Sequence, residues 1–463
     1  MAVSAPMALN RLGQSLWLDN ITRDLLDSGT LQQYIDTMSI TGLTSNPTIF
    51  DQAISGSASY DAEIHRQLDA GQSGEALFFN LAIQDLTRAA DLFAPIYART
   101  ATVDGFVSLE VSPLLAYDTA ATIKQAQALH AQAARPNLFI KIPGTTEGLP
   151  AIEEAIFAGV PVNVTLLFST EQYRAAADAY LKGLERRVAA GLSPDIRSVA
   201  SLFVSRWDRA VIDKVPPTLR NTLGIATSQQ AYRAYRDVLE SDRFQRLANL
   251  GARPQRLLFA STGTKDKTAS DTLYIAGLAA PNTVNTMPED TLLAFAAHGA
   301  APDVLPRDGG DAEASLAAHA SAGIDLAALA AQLQTDVLII EDEPIIAMDL
   351  EAMVTDLGHS VLQIARTRNE AVAAIAQNPP GLVLADIQLA DGSSGLDAVN
   401  EILAVCEVPV VFITAFPEQL LTGERPEPTF LITKPFRTDT VKAVISQALF
   451  FNRRAATLAA AGR

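Results

Sequence analysis

The chain has 463 residues, 48% of them hydrophobic and 19% charged, an ordinary globular composition that excludes disorder for its bulk. Its 35 Lys and Arg stand against 52 Asp and Glu, a net charge of −17, which argues against nucleic acid or an anionic membrane as partner. One cysteine, Cys406, rules out an intramolecular disulfide framework or a cysteine-based zinc cage and fits a reducing compartment. No run approaches about 18 unbroken apolar residues, and the N-terminus lacks a basic segment followed by an apolar one. A cytoplasmic protein is therefore expected. From Thr335 onward 9 Lys and Arg face 17 Asp and Glu, a denser acidity that marks a second domain.

In chain order, eight short apolar runs alternate with helical patterns. They are Ser15–Asp19, Gly42–Asn46, Phe106–Ser112, Leu138–Pro143, Pro161–Phe168, Val199–Ser205, Arg256–Thr262 and Asn282–Met287. Between them lie helix-like segments such as Ala120–Ala134, Thr170–Ala189 and Gln229–Leu247. Eight strand-then-helix units predict an α/β fold, a (β/α)8 TIM barrel. The eighth run is polar for a buried strand. A glycine-containing stretch at Leu305–Ser315 precedes a last helical run, Gly323–Gln334. Five further runs follow at Asp336–Asp342, Ser360–Ala365, Leu382–Ile387, Pro409–Ala415 and Phe430–Pro435. They predict a five-stranded doubly wound, flavodoxin-like domain. The expected division is 1–334 for the barrel and 335–463 for the small domain, with a frayed tail at Arg453–Arg463.

Chemistry in a parallel barrel sits at the C-terminal strand ends. The polar residues there are Asp19, Asn46, Glu110, Lys141, Asn163, Thr165, Ser201 and Arg206. Lys141 lies between two isoleucines inside an apolar strand. Burial disfavours a charged ammonium, and a lysine that sheds its proton near neutral pH attacks ketone carbonyls to form an imine, an electron sink. Asp19 and Glu110 can then move protons for C–C bond cleavage or formation. A lone interior lysine is about as often a charge sealed by an ion pair. Inward polar groups from five neighbouring strands favour the chemistry.

The stretches Thr44–Phe50, Ser108–Pro113, Phe139–Gly148, Val162–Ser169 and Ser201–Asp208, then Ser261–Lys265 and Asn282–Pro288, resemble transaldolase of the longer bacterial type, over about Leu12 to Gln334. The resemblance implies Lys141 as the Schiff-base lysine, Glu110 as the carboxylate that moves a proton through a water, and Asp19 as the acid/base at the substrate hydroxyl. It implies Asn46 and Asn163 as ligands of the dihydroxyacetone unit and Thr165 as the hydroxyl that positions the water. Ser201, Arg206 and, by position, Lys265 would bind phosphate, with Phe203 lining the site. A guanidinium suits phosphate because it can donate two parallel bonds; taken alone, Lys265 reads as a solvated loop charge. The implied reaction passes a dihydroxyacetone unit from sedoheptulose 7-phosphate to glyceraldehyde 3-phosphate, giving erythrose 4-phosphate and fructose 6-phosphate, a step of the pentose phosphate pathway. No cofactor is implied. The histidines, His65, His130, His298, His319 and His359, show no metal-ligand spacing. The family's chain runs on into a final helix where this chain begins its second domain.

In that domain Glu341, Asp342 and Glu343 end the first strand and Asp386 the third. Carboxylates converging at strand ends of a doubly wound sheet call for a hard divalent cation, Mg2+. Thr414 and Lys434 end the fourth and fifth strands, where a hydroxyl and an ammonium would stabilise a transferred phosphoryl group. These residues resemble a CheY-like receiver domain of two-component response regulators, over about Asp336 to Phe451. Asp386–Val399, Val411–Glu418 and Thr422–Phe436 are similar to the general-stress-response regulators, whose receiver follows a sigma-factor-like domain. The resemblance implies Asp386 as phosphoacceptor, Glu341, Asp342 and Asp386 as the magnesium site, Thr414, Lys434 and Phe430 as switch residues, and a histidine kinase or phosphotransfer protein as partner. The competing reading is a signalling protein whose barrel is an inactive output and in which phosphorylation of Asp386 controls a protein contact.

Overall fold

Eight parallel strands make the first sheet: β1 (Ser15–Asp19), β2 (Ile40–Thr44), β3 (Val107–Glu110), β4 (Leu138–Pro143), β5 (Val162–Leu167), β6 (Ser198–Phe203), β7 (Gln255–Ala260) and β8 (Val284–Met287). In this computed structural model the described residues run from 4 to 448, except 46–49, 51–52, 55–56, 73, 112–114, 116–118, 301–302, 335, 358, 378–379, 390, 406–407, 416–429, 443 and 446–447. The strand order is β2-β1-β8-β7-β6-β5-β4-β3. Two main-chain bonds, Leu43 N to Phe106 O at 3.0 Å and Gly105 N to Thr41 O at 2.9 Å, join the ends of that order. The expected barrel is formed. Gly42 lies at this seam: a Cβ there would stand 2.6 Å from Phe106 O and 2.7 Å from the Trp17 ring, so any side chain would pry β2 from β3.

Period-two alternation sorts each strand. Leu16, Leu18, Ile140, Ile142, Val162 and Val164 point outward and join the core beneath the helices. Trp17, Phe106, Phe139, Val199, Leu258 and Val284 point inward and form a separate cluster inside the barrel. Phe106 and Phe139 stack with centroids 4.2 Å apart, and the Trp17 indole N–H donates to Asp104 at 2.9 Å. Two residues further along β1 and β4 come Asp19 and Lys141. The apolar layer thus separates the inward polar groups at the C-terminal end of the barrel from Ser15, Asp104 and Arg256 at the other end, where Arg256 donates to Ser15 Oγ at 2.6 Å.

The polar eighth run is a fully buried strand. The Thr286 hydroxyl bonds that of Thr44 at 2.7 Å and Asn285 Oδ1 accepts from Thr262 at 2.9 Å, while Asn285 Nδ2 is buried with no hydrogen-bond partner among the described residues. The helix Thr170–Ala189 has the expected bounds and starts with a capping box between Ser169 and Gln172, which satisfies two terminal N–H groups. The segment expected as one helix at Gln229–Leu247 is two, Leu223–Glu240 and Asp242–Asn249. Ser241 turns extended between them and its hydroxyl accepts from Phe244 N at 3.2 Å, starting a new helix in place of continuing the old.

The second sheet holds β9 (Asp336–Ile340), β10 (Ser360–Ala365), β11 (Leu382–Ala385), β12 (Val410–Thr414) and β13 (Phe430–Thr433), in the order β10-β9-β11-β12-β13. All its pairs are parallel. Apolar clusters cover both faces, one with Leu338 and Ile340, the other with Val337 and Ile339, as the doubly wound expectation requires. The chain gathers into two compact units, Met1–Ile324 and Asp325–Arg463, so the helix Leu326–Leu333 groups with the second. Residues 453–463 lie outside the described residues. Among the described residues no helix is long and apolar enough to cross a membrane.

Candidate functional site

Parallel register sets Glu110 of β3, Lys141 of β4 and Asn163 of β5 side by side. The Lys141 ammonium donates to Glu110 Oε2 at 2.6 Å and to the Ser45 carbonyl at 2.9 Å. Their side chains are 9% and 13% exposed, sheltered yet open to a ligand. Asn163 is fully buried. Its amide donates to Ser108 Oγ at 3.2 Å and accepts from Ser201 Oγ at 2.7 Å, so three strands fix its orientation. Thr165 is buried two residues on, and its carbonyl accepts from Gly144 N at 2.8 Å.

Asp19 ends β1, paired in register with Thr44 of β2. The Thr44 hydroxyl donates to Asp19 Oδ1 at 2.7 Å. Burial holds the Asp19 carboxyl above its usual range, against the Thr44 bond and the charges of Lys141, Lys265 and Arg206. Those three cations therefore reach the same carboxylate. Of the residues expected at this end of the barrel, Asn46 lies outside the described residues.

Phe203 closes β6 and stacks on Phe168 with centroids 5.3 Å apart. The Arg206 guanidinium sits 4.7 Å from the Phe203 ring centre, at the start of the helix Ser205–Val211. The loop bearing Lys265 leaves β7 beside it, tied by Ser205 Oγ to Ser261 Oγ at 3.0 Å. Lys265 is an exposed residue, yet partial burial, then the Arg209 charge, lower its pKa; Asp19 opposes the shift and the Arg206 charge adds to it. Sequence reasoning missed Thr44, Ser108 and Thr286, which were legible only as inward positions of their strands. It also missed Arg209, three residues from Arg206 and so on the same helix face.

In the second unit, Ala385 of β11 pairs with Ile340 of β9, which carries Asp386 and Glu341 out together. One oxygen each of Glu341, Asp342 and Asp386 lies within 4.8 Å of the others, the sole such group among the described residues. Lys434 donates to Glu341 at 2.8 Å and to Asp386 at 2.6 Å. Burial raises the Glu341 pKa, with Lys434 opposing. Burial also works against the Lys434 charge, but the bonds to Asp386 and Glu341 outweigh it and hold that pKa above the usual lysine value. Thr414 is buried, and its carbonyl accepts from Lys434 N at 2.8 Å. Phe430 opens β13, partly buried against the sheet. Three hard oxygen donors in one place are the chemistry that suits Mg2+.

Residues 16–341 match the family model for transaldolase/fructose-6-phosphate aldolase. A transaldolase of Parafrankia sp. (strain EAN1pec) is 43% identical over 72% of this chain and 93% of its own. The chain belongs to the transaldolase family. The transaldolase of Mycobacterium tuberculosis (strain ATCC 25618 / H37Rv) is 45% identical over 71% of this chain and 91% of its own. Residues 337–446 match the response regulator receiver domain model. The receiver domain of the Erythrobacter litoralis response regulator PhyR, solved in solution, is 65% identical over 25% of this chain and 91% of its own, with a TM-score of 0.25. The protein is thus a transaldolase with a receiver domain at its C-terminal end.

Proposed function

We propose that Lys141 is the Schiff-base residue of a dihydroxyacetone transfer from sedoheptulose 7-phosphate to glyceraldehyde 3-phosphate, carried out by residues 1–334. The observation that carries this reading is the shared register level of Glu110, Lys141 and Asn163. The Lys141 amine adds to the C2 carbonyl of the ketose, and water leaves with a proton relayed by Glu110 through a water that Thr165 positions. In the protonated imine, Asp19 takes the C4 hydroxyl proton as the C3–C4 bond breaks. The bonding pair moves to the imine nitrogen, leaving an enamine, and erythrose 4-phosphate departs. The enamine then attacks the carbonyl carbon of glyceraldehyde 3-phosphate, Asp19 returns the proton, and hydrolysis releases fructose 6-phosphate. Asn46 and Asn163 hold the three-carbon unit. Ser201, Arg206 and Lys265 hold the phosphate and Phe203 lines the site; the Lys265 charge that acts on Asp19 along with that of Arg206 supports Lys265 as the second cation. No cofactor enters this sequence, because the imine is the electron sink.

For residues 335–463 the reading is a phosphoacceptor domain. Glu341, Asp342 and Asp386 would hold Mg2+, which supplies positive charge to an incoming phosphoryl group. Asp386 accepts that group, Lys434 and Thr414 respond to it, and Phe430 changes packing with them. The donor would be a histidine kinase or a phosphotransfer protein, and the lone Cys406 and acidic charge fit work in the cytoplasm. Mixing the purified chain with sedoheptulose 7-phosphate and glyceraldehyde 3-phosphate should yield the two named products by chromatography. Absence of both, with the protein folded, would overturn the reading.

A further inference from the structure

The helix Ser205–Val211 is only 7 residues long, yet it carries Arg206 and Arg209 on one face beside Lys265. The Arg206 and Arg209 charges both act on Lys265, so how this helix is held sets where the three cations stand when a phosphate arrives. Asp208 is two residues from Arg206, about 200° round the helix and therefore on its opposite face. It is buried, with 2% exposure. Its carboxylate accepts from Leu223 N at 2.9 Å, Gly224 N at 3.1 Å and the Tyr274 hydroxyl at 2.9 Å.

These donors lie on other elements. Leu223 and Gly224 open the helix Leu223–Glu240, whose own cap residue, Thr222, makes no side-chain capping bond. Asp208 supplies that cap from outside, an anion at a positive helix end. Gly224 permits the approach: a Cβ there would lie 2.5 Å from Val204 O and 2.7 Å from Asp208 Oδ2. The same junction holds the other cation, because Asn221 donates to Asp266 at 2.7 Å and Asp266 directly follows Lys265. Trp207, donating to Phe168 O at 3.1 Å, fixes the helix on its remaining side. Burial pushes the Asp208 carboxyl up to about 6, with the three bonds opposing the shift, so the carboxylate is kept in a place that disfavours its charge.

We propose that Asp208 is a positioning residue for the phosphate site: anchored to residues 223–224 and to Tyr274, it aims Arg206, and with it Arg209, at the substrate phosphate. The inference rests on the phosphate role of Arg206 given above. The test compares Asp208→Asn, Tyr274→Phe and Arg206→Leu in the full chain. It measures kcat and KM for fructose 6-phosphate with erythrose 4-phosphate as acceptor, and inhibition by inorganic phosphate. Asp208→Asn should raise that KM and the phosphate inhibition constant together by about tenfold, with kcat changed by less than about threefold; Tyr274→Phe, losing one of three bonds, should raise both by about two- to fourfold. A purely structural defect would lower kcat or active protein without moving phosphate inhibition. Should Asp208→Asn not fold, Tyr274→Phe decides, and an unmoved phosphate constant there overturns the inference. If Arg206→Leu weakens phosphate and the other two variants do not, the inference alone fails. If Arg206→Leu leaves phosphate unmoved, the phosphate reading fails with it.

Discussion

The chain places a sheltered lysine beside carboxylate twice, and the two settings differ. Lys141 meets one carboxylate, Glu110, and a main-chain carbonyl; against the burial that raises the Asp19 pKa, the Lys141 charge acts with those of Arg206 and Lys265 to lower it. Lys434 lies between two carboxylates, Glu341 and Asp386, whose bonds hold it charged. The first arrangement is the one the proposed nucleophile would use, a lysine beside a single carboxylate. The second keeps a cation beside the proposed phosphoacceptor, where it would offset the charge a phosphoryl group adds. The same side chain stands in two electrostatic settings because its neighbours differ in number.

The sharpest break removes each lysine site's reacting group. Lys141→Met should lower the transaldolase rate by about 10^4-fold or more, followed by product formation. In the receiver, Asp386→Asn should bring labelling by acetyl phosphate with Mg2+ down to background, and a chelator should do the same to the parent protein. Glu110→Gln keeps the hydrogen bond to Lys141 but loses the proton relay, so kcat should fall by about 10^2- to 10^3-fold. A smaller effect sharpens the electrostatic half of the comparison. Asp19 must be ionised to take the hydroxyl proton, so its pKa sets the acid limb of kcat/KM. The Lys265 charge pulls that pKa down; Lys265→Met removes the pull, raises the pKa and should move the acid limb to higher pH. An unshifted limb would separate Lys265 from Asp19.

The barrel and the polar positions at its strand ends were legible because strands buried on both faces read as apolar runs, and Asp19, Glu110 and Lys141 interrupt or end those runs. The five-stranded domain was legible for the same reason. The supports were not. Thr44 and Thr286 share a bond across 242 positions, and threonine is so common in strands that neither stood out. Asp208 carried no signal of its own, because the N-terminus it caps begins 15 residues later. Ser241 was hidden inside a continuous helical pattern, its break set by a hydroxyl cap on Phe244. Residues that react announce themselves by type, whereas residues that hold them depend on partners the local pattern cannot name.

The direct test of the central claim is to treat the chain with fructose 6-phosphate and borohydride and map the modified peptide by mass spectrometry. The account predicts one stable adduct of the three-carbon unit on Lys141, absent from Lys141→Met. An adduct on another lysine, or none on active enzyme, would contradict it.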